Sequence, residues 1–190
     1  EGWFHGGVTV GEVGEEAILG LFVAPTPMPW LRVPNGDDAA VLDPEQQAVV
    51  ISVDAVLEHQ HFERSWLSPG QLGARALYVS ASDLAAMGVV PRWCLTSLQV
   101  PSTLSFQALS DLARGMQSTC DEEGITVIGG NLTRADSLGL HLTVGGFATH
   151  GQSTITRSGA RDGDFLWLTG VPGRAAAGRT LLASPHHRNP

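Results

Sequence analysis

The 190-residue sequence has no lysine; all eleven of its basic residues are arginine. That absence removes the phosphate-binding lysine of a P-loop, the strand lysine of a protein kinase and the amine of a Schiff-base enzyme. Charged residues are also scarce, at 16% against 43% hydrophobic, which excludes a solvated, disordered chain. No apolar run approaches the roughly 20 residues of a membrane span. No charged, apolar and cleavable segments open the chain in the order of a secretory leader. No two glycines stand two positions apart, so G-x-G-x-x-G does not occur, and G-x-S-x-G, C-x-x-C and H-E-x-x-H are missing as well. The two cysteines, Cys94 and Cys120, sit in apolar contexts outside any motif. A reducing cytoplasm is the expected compartment.

What is present is acidic and turn-rich. The net charge is -8 and the pI about 5.2. That balance argues against nucleic acid or an anionic membrane as partner, because their phosphates need a basic footprint. It suits a site that gathers divalent cations. The 23 glycines and 11 prolines follow no period, so they mark turns and not a fibre.

Along the chain, residues 1–11 read as a loose arm and 14–22 as a short helix with acids in its first turn. Residues 24–36 form a proline-rich loop. Residues 39–43 and 47–53 flank the turn Asp43-Pro44-Glu45-Gln46, which predicts a β-hairpin. Residues 70–88 are apolar on nearly every side, which predicts a buried helix. Residues 92–100 read as a strand closed by Pro101. Phe106, Leu109, Ala113, Met116 and Cys120 repeat at the helical period over 105–123, and Gly124 stops that helix. Strands are expected at 125–128 and 138–149, with a polar loop at 129–137 between them, then a strand at 164–169 and a helix at 174–183. The cysteines, tryptophans and Met87 read as core packing. A domain boundary falls near 150, where the chain turns glycine-rich and polar.

Several side chains could carry chemistry. On the predicted hairpin, Asp38 and Asp54 share one sheet end, where they are either solvated strand-end acids or joined by a cation. Asp83 falls on the Leu72, Ala76 and Val79 face of its helix, so it needs either an arginine partner or a metal. Gly129-Gly130-Asn131 is either an ordinary turn or a backbone cradle for phosphate. His59 and His61 form an H-x-H pair that could ligate a metal; one exposed and one site-lining histidine is the plainer reading.

At these residues the sequence resembles the thiamine-monophosphate kinase family, part of the superfamily that includes aminoimidazole ribonucleotide synthetase. The stretches that carry the resemblance are GEVGEEAILGLF (11–22), GDDAAVL (36–42), ISVDAVLEHQHF (51–62), SASDLAAMGVVP (80–91), GGNLTRA (129–135) and TRSGARDGD (156–164). The resemblance implies a kinase without a P-loop, which moves the γ-phosphoryl of ATP in line onto thiamine monophosphate to give thiamine diphosphate. Several Mg²⁺ ions held by aspartates would supply the charge neutralisation given elsewhere by lysine.

By that resemblance Asp38, Asp54 and Asp83 are magnesium ligands, Ser52 and the backbone of Val53 add oxygens, and Asn131 completes the set. Gly130, Asn131 and Arg157 contact ATP, and His61 contacts the thiamine substrate. No side chain is assigned as a catalytic base. Asn131 stands where the family usually has aspartate, and Val53 where it usually has a hydroxyl residue. The implied fold is α+β: an N-terminal domain over 1–150 with a β-sheet packed by helices on one side, for ATP, magnesium and dimerisation. Residues 151–190 would begin a second α+β domain, which makes the chain a fragment or truncated form of the family's length. A homodimer is expected, with no nucleic-acid and no membrane partner. Rival readings are another ATP-dependent enzyme of the superfamily, or a non-catalytic paralogue that binds nucleotide or only dimerises.

Overall fold

The computed structural model describes residues 3, 7–14, 17–18, 20–22, 28–33, 41–42, 47–148, 154–156 and 158–184. The chain separates into two compact units, Glu1–Ile155 and Thr156–Pro190.

The first unit is built on a four-stranded sheet. Its strands are β3 (Ala48–Leu57), β4 (Pro91–Val100), β5 (Thr126–Arg134) and β6 (Gly139–Ala148), in the order β3-β6-β4-β5. β4 and β5 run parallel, while β6 is antiparallel to both β3 and β4. Two helices, α1 (Pro69–Ala86) and α2 (Phe106–Glu123), cover one face. A two-stranded ribbon of β1 (Leu31–Val33) and β2 (Val41–Leu42) packs at part of the other, where Leu31 joins Trp93 and Ile128. This is the α+β layer arrangement expected, a sheet with helices on one side.

Local chemistry explains both helices. Ser68 caps α1: its Oγ accepts from the Gln71 amide (3.3 Å) and the Gln71 Oε1 accepts from the Ser68 amide (2.9 Å). Pro69 occupies the first turn, where its missing N–H costs nothing. In α2 the residues Leu109, Leu112, Ala113, Met116 and Cys120 are all buried on one stripe. Gly124 ends that helix at φ 68°, a left-handed conformation glycine adopts without strain. α1 and α2 touch so closely that a Cβ at Gly115 would overlap the Gly70 carbonyl.

Several sequence expectations are corrected. β2 pairs with β1 and not with β3, so the 39–53 hairpin does not form; β3 spends its ten residues on β6. Val53 and Asp54 face Thr143 and Leu142 across the ladder. The turn residues 43–46 lie outside the described residues, as do Asp37 and Asp38. The 129–137 loop is largely strand, because β5 continues to Arg134 along β4. α1 is buried on one face only: Gln71, Arg75, Tyr78, Ser82 and Asp83 are exposed. Alanine and serine tolerate water as easily as a core, so an apolar count overstated the burial. Residues 7–12 are docked, not loose: Val10 is buried, and the Val10 and Gly11 amides donate to Leu104 and Ser102 carbonyls (2.8 and 2.9 Å).

Among its described residues the second unit contains one helix, α3 (Arg174–Ala183), at the expected place. Residues 164–169 do not form the expected strand. An isolated strand has no partner to satisfy its ladder groups. Phe165, Leu166, Trp167 and Leu168 are exposed there, so Trp167 is not core, whereas Trp3 and Trp93 are. No helix among the described residues is long and apolar enough to cross a membrane.

Candidate functional site

β3 alternates in exposure from Val49 to Asp54. Val50, Ser52, Asp54 and Val56 point to the helical side, while Val49, Ile51 and Val53 point away. α1 overlies this edge strand near its C-terminal turn. There the Ser52 hydroxyl donates to Asp83 Oδ2 at 2.7 Å. Asp54, half-buried, stands two residues further along the same face of β3. One carboxylate and a hydroxyl thus meet at one rim of the sheet, with a second carboxylate on the same face of β3 about 7 Å further along the strand. Among the described residues neither acid has a cationic partner.

Asp83 is exposed, so its charge is compatible with water and does not require a buried counter-ion. That corrects the expectation of a buried helical acid. The donors gathered here are all hard oxygens, with no sulfur or imidazole, which fits Mg²⁺. They number too few to form a cage: no group of three or more His, Cys, Asp or Glu gathers among the described residues. The Val53 side chain is 64% exposed on the opposite face, which leaves only its backbone to contribute.

Gly130 and Asn131 stand elsewhere. β5 is the far edge of the sheet, three ladder steps from β3, or about 14 Å at ~4.8 Å per step. Gly130 pairs with Thr96 and Asn131 with Ser97. A Cβ at 130 would overlap the Thr96 carbonyl, so close strand approach already requires glycine there. Within one chain the structure therefore brings Ser52, Asp54 and Asp83 together and leaves Gly130 and Asn131 apart from them. Asp38 and Arg157 lie outside the described residues.

His61 sits in the turn that follows β3, on the same edge. Its Nδ1 accepts from the Leu57 amide (3.0 Å) and its carbonyl accepts from the Arg75 guanidinium (2.9 Å). His59 adopts φ 67° and its Nδ1 contacts Glu63 Oε2 (3.0 Å). The two Nδ1 atoms are engaged separately, so the H-x-H pair does not converge on one point through them. Sequence reasoning missed Glu58, a buried carboxylate paired with Arg64. Its signal was an acid directly after the apolar run Ala55–Leu57 that ends β3.

A cavity of about 230 Å³ lies at the other corner of the sheet, between the turn at Val10–Glu12 and the ends of β4 and β5, with Ser102, Thr133 and Arg134 at its wall. None of the candidate site residues lines it, although Gly11, Val13 and Ile18 belong to the stretch 11–22 and Leu132, Thr133 and Arg134 to the stretch 129–135.

The family described as AIR synthase related protein, N-terminal domain, matches residues 36–149. The thiamine-monophosphate kinase of Corynebacterium glutamicum is 33% identical over 179 residues, covering 93% of this chain and 53% of that protein. The thiamine-monophosphate kinase of Escherichia coli strain K12 is 38% identical over 150 residues, covering 77% and 44%. The structure of AaThiL complexed with AMPPCP and TMP superposes with a TM-score of 0.58 at 29% identity, covering 66% of this chain and 40% of that one. The chain spans about half the length of the curated relatives it matches. With the family pattern running through β3, α1, β4, α2, β5 and β6, the chain belongs to the AIR synthase related family and carries its N-terminal domain.

Proposed function

We propose that this chain supplies the N-terminal half of an ATP-dependent thiamine-monophosphate kinase. The reaction would pass the γ-phosphoryl of ATP in line to a phosphate oxygen of thiamine monophosphate, giving thiamine diphosphate and ADP. The observation that carries the reading is the oxygen cluster of Ser52, Asp54 and Asp83 at the rim of β3 and α1. Similarity to relatives named thiamine-monophosphate kinase, and to a structure holding AMPPCP, an ATP analogue, and TMP, supports the substrates.

Asp54, Asp83 and the Ser52 hydroxyl would hold Mg²⁺, with Asp38, the Val53 backbone and Asn131 as further ligands. Bound Mg²⁺ supplies neutralisation of the phosphate charge. Gly130, Asn131 and Arg157 would contact the nucleotide, and His61 the acceptor. The acceptor is already an anionic phosphate oxygen, so no side chain needs to act as a base. The domain division at about residue 150 and a cytoplasmic location, where buried thiols stay reduced, belong to the same reading.

A homodimer through the open sheet face is part of this proposal. Val49, Ile51, Val53 and Leu95 are exposed there, on the side the helices do not cover. Exposed apolar side chains gathered on one sheet face in this way support an interface there.

The neutral amide at Asn131 and the outward Val53 favour one second reading, a nucleotide-binding paralogue without turnover. One assay separates the two. Full-length protein is given ATP, Mg²⁺ and thiamine monophosphate, with ADP release coupled to absorbance and product mass measured. Thiamine diphosphate formed with stoichiometric ADP is the expected result. Bound ATP with no ADP release would favour the second reading, and ADP release only with a different acceptor would overturn the substrate.

A further inference from the structure

We propose that Glu58 is a positioning residue that locks the turn after β3, so that His61 presents its Nε2–H as a hydrogen-bond donor toward the acceptor substrate. The identity of that substrate rests on the kinase reading; the locking of the ring does not.

The Glu58 side chain is only 7% exposed, and a carboxylate at that depth is costly unless satisfied. It is satisfied from two sides. Arg64 Nη2 donates to Oε2 at 2.8 Å, while Arg64 Nε stands in ion-pair contact with Oε1 at 2.6 Å without an aligned hydrogen bond. The Leu138 amide donates to Oε2 at 2.9 Å, and the Glu58 amide donates back to the Leu138 carbonyl at 2.9 Å. The carboxylate therefore ties the start of β6 to the far side of the turn. Arg64 is itself held over the Trp3 ring at 5.8 Å.

Inside this clamp the turn is fully specified. The His61 amide donates to the Leu57 carbonyl (2.8 Å) and the His59 amide to the Phe62 carbonyl (2.9 Å). The Leu57 amide, on the outer edge of β3, donates to His61 Nδ1 (3.0 Å). An N–H can donate only to a lone pair, so Nδ1 carries no proton and the neutral ring carries its proton on Nε2. The exposed ring nitrogen is then a donor, on the edge that carries Asp54. It would recognise an acceptor such as a phosphate oxygen or a pyrimidine nitrogen, and would disfavour a donor at that place.

The test uses full-length protein labelled with ¹⁵N-histidine, with the His61 ring assigned from its loss in His61→Asn. In the unmodified protein the ring should show a pyridine-like Nδ1 and a pyrrole-like Nε2. Glu58→Ala should average the two tautomers and raise KM for thiamine monophosphate on the order of tenfold, as expected for slight misplacement of a contact, while KM for ATP stays within about twofold. Should Glu58→Ala not fold, Glu58→Gln, which keeps an acceptor for Leu138 but loses the charge facing Arg64, carries the same measurement with a smaller shift. A His61 ring that keeps its tautomer in both variants, or two KM values that rise together, would overturn the proposal. If the protein makes no thiamine diphosphate, the ring nitrogens still decide whether Glu58 sets the tautomer, so the two readings fail separately.

Discussion

The Ser52 hydroxyl takes up one lone pair of Asp83 and leaves the rest of the carboxylate facing water. An acid so placed contributes little to the fold and much to anything cationic at the rim. Asp83→Asn should therefore change unfolding free energy by no more than about 0.5 kcal/mol. It should weaken Mg²⁺-dependent ATP binding about tenfold or more by calorimetry, because a neutral amide is a poorer ligand for a hard cation. Unchanged affinity would reduce Asp83 to an acceptor for Ser52. The two cysteines make the opposite case. The Cys120 sulfur beside it, and then burial, hold the Cys94 thiol well above the usual cysteine range. A thiol without thiolate is inert. Iodoacetamide at neutral pH should label neither cysteine in the folded protein and both in urea, as read by intact mass; rapid labelling of the native state would contradict the buried placement.

The elements owe their positions to close contacts as much as to hydrophobic stripes. At the α1–α2 crossing a Cβ on Gly115 would overlap the Gly70 carbonyl, and one on Gly73 would overlap the Leu112 carbonyl. Helices that approach backbone to backbone cannot yield without shifting whole rows of buried side chains. Gly115→Ala should then lower stability by about 1–3 kcal/mol, the usual range for overpacking. A denaturant titration would show a lower midpoint with an unchanged slope. No loss would mean that the helices are free to separate at this point. The same logic reassigns Gly130. Its closeness to Thr96 is reason enough for a glycine in β5, whether or not a phosphate ever approaches it.

At the scale of the whole molecule, the sheet is finished on one face and only partly covered on the other. The helical face buries Leu72, Leu109, Leu112, Met116, Leu140, Leu142 and Val144 completely. The open face shows Val49, Ile51, Val53 and Leu95 to solvent, and Ile51 and Val53 are 58% and 64% exposed. If this surface joins a second copy, a charge in its middle must be desolvated without a partner. Ile51→Glu should turn a dimer into a monomer by sedimentation velocity while the circular dichroism spectrum stays the same. A variant that sediments as the unmodified protein does would remove the open face from the interface.

The helices were legible in the sequence wherever local chemistry decides. The buried stripe of α2 and the glycine stop at 124 both follow from near neighbours in the chain. The acids Asp54 and Asp83 could be named, and their type is what a hard cation needs. Partnership was not legible. β2 and β3 flank a good turn sequence, yet each pairs with a different strand, because hydrogen bonds to β1 and β6 depend on distant residues. Nor could the sequence separate Asn131 from Asp83: each stands near a glycine in a stretch that carries the family resemblance, and only the strand order sets β5 and the β3 rim at opposite edges. Residue type and local period settle what a segment can do. Which face it buries, and which oxygens finally meet, is decided by long-range pairing, where the contributions of many weak contacts add up only in the folded chain.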